Sequence, residues 1–167
     1  MVTIMIPTDF TATSLQIIEE TILYFKPDSV NIILFHAFEM PASMQEVIGD
    51  ERKPHLRVMN EPFRKACKRI KDKYGPYVVN ITYRHLYGST ISVFKHYLQF
   101  NKIDSIVFPD GYHFQQIHER SVDPERLIKG SNYPVIKSLL TDTLHSANVT
   151  LVNKNGSLVT RNMLSNQ

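Results

Sequence analysis

The sequence predicts an α/β fold, an open five-stranded parallel sheet with helices on both faces. Three observations predict it. Short apolar runs such as Thr3–Ile6 (TIMI) and Val30–Ala37 (VNIILFHA) have the near-continuous apolar character of strands buried on both faces. Between them lie stretches whose apolar residues recur at spacings of three and four, the signature of helices. The alternation begins and ends on a strand, which is the order of consecutive βαβ units.

The first strand is Thr3–Ile6, and Pro7 stops its ladder because proline has no N–H to donate. Thr8, Asp9, Thr11, Thr13 and Ser14 form an oxygen-rich turn, with Thr13 and Gln16 spaced as a capping box. Helix one carries Leu15, Ile17, Ile18, Ile22 and Phe25 and ends near Lys26, before Pro27. Val30–Ala37 is a central strand. The stretch 38–54, holding Pro41, Gly49 and Pro54, reads as a long irregular connection with at most a turn at 44–48.

Helix two spans roughly Leu56–Tyr74, with Met59, Phe63, Ala66, Cys67, Ile70 and Tyr74 on one side. Pro62 requires that this helix either begin near Asn60 or kink. Its outer side is basic, but Glu61 and Asp72 interrupt the charge and no aromatics are interleaved, so it reads as a solvated face. Tyr77–Leu86 alternates polar and apolar residues, the pattern of a less buried strand. After Gly88-Ser89, helix three uses Ile91, Phe94 and Leu98, and Ile103–Phe108 is the fourth strand. Pro109–Asp123 has no convincing period. A last helix is expected from Asn132 to Leu144, with Pro134 in its first turn, and Val149–Val152 is the expected fifth strand. The turn signal at Lys154–Ser157 leaves two options for the end of the chain, a hairpin arm or a tail. The expected organisation is therefore one domain over 1–153 and a C-terminal arm over 154–167.

Composition sets limits on function. A chain of 167 residues with 43% hydrophobic content suits a single core. A net charge of +3 is too slight for the dense basic surface that nucleic-acid binding needs. No apolar run is long enough for a membrane span and no signal peptide is evident, so a cytoplasmic location is expected. The one cysteine, Cys67, reads as a small buried apolar residue on a helix face.

The stretch PTDFTATS, Pro7–Ser14, resembles the strand-one loop of the universal stress protein family, and a weaker likeness continues to about Asn153. The resemblance implies a Rossmann-like sheet of the adenine-nucleotide α-hydrolase type. It also implies that Asp9, at the end of the first parallel strand, could contact a nucleotide. The residue itself leaves a second reading open, in which Asp9 caps the adjoining helix.

Nucleotide-binding members of that family carry a glycine, two residues, a second glycine, nine residues, then glycine and serine or threonine. Such glycines let backbone N–H groups approach phosphate oxygens closely. Laid on IDSIVFPDGY, the pattern puts Pro109 and Tyr112 at the first two glycine positions. Gly130-Ser131 resembles the closing pair but lies about eight residues too late, and Gly111 is a displaced substitute. The expectation is a dismantled phosphate cradle and no family-type ATP binding. The alternative keeps ATP as a ligand of Asp9, Gly111, Gly130 and Ser131 around an altered loop.

No metal site is expected from His36, His113, His118 and Glu119, because two histidines five apart in a loop are a poor set of ligands. No nucleophile elbow or paired catalytic carboxylates can be identified, so no enzyme is expected. The family resemblance implies a homodimer through the last strand, with Val149 and Leu151 at the interface, and leaves room for an unidentified protein partner.

Overall fold

The computed structural model describes residues 1–40, 58–138, 148–152 and 158–162. The strands are β1 (Val2–Pro7), β2 (Val30–Phe38), β3 (Val78–Tyr87), β4 (Ser105–Pro109), β5 (Ser121–Val122), β6 (Val135–Ser138), β7 (Asn148–Val152) and β8 (Leu158–Asn162). The helices are α1 (Ala12–Phe25), α2 (Glu61–Lys73), α3 (Ile91–Phe100) and α4 (Pro124–Ser131). The sheet runs β3-β2-β1-β4-β6-β7-β8, with β5 paired to β2 beside that path. The first five strands of that order are mutually parallel, and β7 and β8 are antiparallel additions.

Alternation along the strands divides the core in two. Ile4, Ile6, Ile32 and Leu34 point to one face and pack against Ile17, Ile18 and Ile22 of α1 and Phe63 and Ile70 of α2. Met5, Ile33, Phe35 and Ile106 point to the other, against Phe94 and Leu98 of α3 and Leu127 and Ile128 of α4. Both faces are covered, which is why β1 and β2 are apolar in both parities. The predicted α/β architecture is the one observed.

Local chemistry decides the helix ends. Thr11, not Thr13, caps α1, its side chain accepting from the Ser14 N–H. Asn60 caps α2 and accepts from the Phe63 N–H at 2.9 Å, so Pro62 falls in the first turn and does not kink the helix. The stretch 41–57, with the expected turn at 44–48, lies outside the described residues.

Two expectations for the C-terminal third are corrected. No helix begins at Asn132. Asn132 is instead the left-handed cap (φ +56°) that ends α4, and Val135–Ser138 is the fifth parallel strand, paired from Ile106↔Val135 to Pro109↔Ser138. Pro134 holds the preceding residue extended, and β-branched Val135-Ile136 then joins the sheet. The helix lies earlier, over Pro124–Ser131, capped by Asp123 with Pro124 in its first turn. Asn148–Val152 is consequently neither the fifth parallel strand nor the sheet edge. It pairs with β6 at Lys137↔Val152 and Ser138↔Leu151 and along its whole length with β8, so the chain after the turn signal returns as a hairpin.

Candidate functional site

In the strand order 3-2-1-4-6, the connections leave β1 and β4 in opposite directions along the sheet. The crevice above their carboxyl ends is where such folds place ligands. Asp9 lies there, only 2% exposed. The turn that delivers it is tight. Phe10 takes a left-handed φ of +59°, which a bulky residue adopts only under constraint. The constraint is visible: its N–H donates to Thr8 Oγ1 at 3.0 Å, and its ring packs edge-on against Phe63 and Tyr83.

Every oxygen of the Asp9 carboxylate is occupied. Oδ1 accepts from the Thr11 hydroxyl (2.7 Å), the Ser14 hydroxyl (2.8 Å) and the Thr11 N–H (3.3 Å). Oδ2 accepts from the Tyr112 hydroxyl (2.5 Å) and the Gln115 N–H (3.0 Å). Burial alone would push this carboxyl up. The hydrogen bonds from Tyr112, Gln115, Thr11 and Ser14 outweigh it and hold the carboxyl below its ordinary value. Asp9 therefore does both things its position allows: it ties down the start of α1 and it holds the loop after β4.

That loop is folded back over the crevice. Gly111, with φ +69°, supplies a left-handed turn just before Tyr112. Phe114 stacks on Phe108 and meets the Tyr112 ring edge-on, 4.9 Å between centroids. Pro109, buried at the end of β4, offers no N–H toward the crevice. Beside the crevice is a cavity of about 250 Å3, lined by Asp110, Gly111, Tyr112, Lys129 and Lys137. Its cations are engaged, Lys137 with Asp110 at 3.2 Å and Lys129 with Glu125 at 2.5 Å.

His36, at the end of β2, anchors the far part of the same loop. Its Nδ1 lies 2.7 Å from the Thr8 carbonyl and its Nε2 3.0 Å from Ser121 Oγ. A carbonyl only accepts, so Nδ1 carries the proton and Nε2 accepts from the Ser121 hydroxyl. Burial pulls the imidazole's pKa down, against the opposing influence of the Thr8 carbonyl and Asp9, which fits this neutral form. Ser121 Oγ is engaged on its other side by the His118 N–H at 3.2 Å. Among the described residues, no group of three His, Cys, Asp or Glu side chains is placed to hold a metal ion.

Of the residues singled out in the sequence, Asp9 and Gly111 come together at the crevice. Gly130 and Ser131 lie at the carboxyl end of α4. Gly130 allows α3 and α4 to approach, since a Cβ there would stand 2.3 Å from Ile91 Cδ1. Ser131 donates to the Ile128 carbonyl and accepts from the Tyr133 N–H. Val149 and Leu151 lie in β7, with Arg161 and Val159 as their β8 neighbours. Sequence reasoning missed Tyr112 as the partner of Asp9 and Ser121 as that of His36. Ser121 had a usable signal, since it stands just ahead of an Asp-Pro-Glu helix start.

No protein-family model matches the chain, and no curated protein matches it either. Solved structures do. A hypothetical protein designated PH0823 aligns over 85% of this chain and 98% of its own, at 15% identity and a TM-score of 0.55. A second hypothetical protein, MJ0577, aligns over 84% of this chain and 97% of its own, at 15% identity and a TM-score of 0.50. The fold is shared. A universal stress protein in complex with cAMP also aligns, over 81% of this chain and 95% of its own, at 14% identity and a TM-score of 0.47. The universal-stress-protein resemblance of the β1 loop is thus accompanied by a likeness of fold.

Proposed function

We propose that this chain is a non-catalytic, universal-stress-like regulatory module that works as a homodimer in the stress response and does not bind ATP in the family manner. The observation that carries the reading is the Tyr112 hydroxyl on Asp9 Oδ2 at 2.5 Å. A nucleotide reaching Asp9 must displace Tyr112 and the Gln115 N–H, both donating to an ionised acceptor, and such bonds contribute about 1.5–3 kcal/mol each. It must also do without an amide at Pro109.

Equilibrium dialysis with ATP, ADP and AMP tests the proposal. The expected result is no saturable binding at micromolar ligand. Saturable binding overturns it in favour of the alternative reading, in which ATP is held by Asp9, Gly111, Gly130 and Ser131 around an altered loop. The second part of the proposal, dimerisation, is supported by the strand edge at β8, whose only neighbour among the described residues is β7.

A further inference from the structure

A slot of about 270 Å3 opens between α2 and the outer strands, on the α2 side of the sheet. Its base is apolar, formed by Leu34 of β2, Ile81 of β3, and Met59 and Cys67. Its rim is cationic. Arg64, Lys68 and Lys71 stand four and three residues apart on α2 and so share one side of the helix. Lys71 is steadied by Asn80, whose Oδ1 accepts from its ammonium at 3.2 Å. Arg64 and Lys68 are exposed and have no ion-pair partner among the described residues. Tyr83 also lines the slot, and its hydroxyl is a buried group with no hydrogen-bond partner among the described residues.

These features ask for two chemistries in one ligand. A hydrocarbon would leave the cations unused, and a compact inorganic anion would leave the apolar base open to water. The volume lies just below the usual range of ligand pockets, which limits the ligand to a short chain or a fused ring pair. We propose that this slot binds a small amphiphilic anion, an alkyl or aryl carboxylate or sulfonate, with its body on Leu34, Ile81 and Met59 and its acidic head between Arg64 and Lys68. The slot shares no lining residue with the cavity beside Asp9, and the proposal does not rest on the function proposed above.

Cys67 makes the proposal measurable, because it lines the slot and is the one cysteine in the chain. Burial pushes its thiol up to about 11, so it reacts slowly and its labelling rate reports access. The full-length protein would be labelled with N-ethylmaleimide in the presence of decanoate, naphthalene-1-sulfonate or the neutral naphthalene-1-methanol. The expected result is saturable protection by at least one anion, decanoate marking an alkyl site and the sulfonate an aryl one, with little from the alcohol. Lys68→Glu and Arg64→Glu should each weaken that protection at least tenfold, while Lys65→Glu, on the same helix but outside the slot, leaves it unchanged. All three positions are exposed, so the variants keep the fold, which circular dichroism checks. No protection by either anion at millimolar concentration overturns the proposal. So does equal protection by the alcohol, or undiminished protection in Lys68→Glu and Arg64→Glu.

Discussion

Asp9 shows how one buried charge can organise a site. Removing a single donor tests how much it matters. Tyr112→Phe keeps the ring against Phe114 and deletes only the hydroxyl on Oδ2, so it should lower stability by about 1.5–3 kcal/mol, the range for hydrogen bonds to charged groups, read by urea denaturation. A loss below about 0.5 kcal/mol would mean that water replaces the hydroxyl at little cost. The pH dependence comes from two groups with lowered pKa values. Asp9 is held below its ordinary 3.8, so its contribution is present above that value and is lost as pH falls through the folded-state pKa. His36 is lowered from 6.5, so the unfolded chain takes up its proton first and stability declines as pH falls below 6.5. Thermal unfolding between pH 7 and 5 should therefore show a loss that shrinks in His36→Asn. An unchanged slope in that variant would assign the loss to other groups.

At the scale of elements, α4 connects the loop over the crevice to the rest of the fold. The chain leaves β4, crosses above Asp9, touches β2 through β5, and then descends in α4 to β6. The start of α4 is secured by Asp123, whose carboxylate accepts from the Glu125 N–H at 2.9 Å. Its far end is shaped by Ser131 and by left-handed Asn132. Asp123→Ala should cost about 1 kcal/mol, since it removes an N-cap. Native-state hydrogen exchange should place that loss in α4 and leave α1 and α2 unaffected. Uniform loss across all helices would mean that α4 opens only with the whole domain.

For the whole molecule, the seven-strand path has two edges of different character. The edge at β3 is half-buried along most of its length and is flanked by the cation-rimmed slot of α2. The other, at β8, belongs to a hairpin that adds antiparallel strands to a parallel sheet. An unpaired strand of that kind is a ready template for a second copy. The expected interface residues Val149 and Leu151 lie in β7, inside the sheet, so the edge for a second copy is β8. Light scattering should give a two-subunit mass, shifted toward monomer by truncation before Leu158, which removes β8. A native protein that stays monomeric at high concentration would remove the dimer from the proposal.

Much of the fold was legible because it depends on local pattern. The apolar runs of β1 and β2, the alternation of β3 and the stripes of α1 to α3 each record which side of an element meets the core. The start of α4 was legible too, in Asp123-Pro124-Glu125, but Val135-Ile136 and Leu139-Leu140 fit a helical stripe as well as a buried strand. Only pairing with β4 separates those two, and pairing is not a local property. The sequence alone determined that Asp9 ends a first parallel strand and that Pro109 has no amide to offer a phosphate. Tertiary structure alone decided that Tyr112, 103 residues away along the chain, occupies that carboxylate, and that Gly130 packs against Ile91 of α3. Contacts between distant segments depend on how the strands are ordered in space, and residue spacing along the chain carries no record of that order.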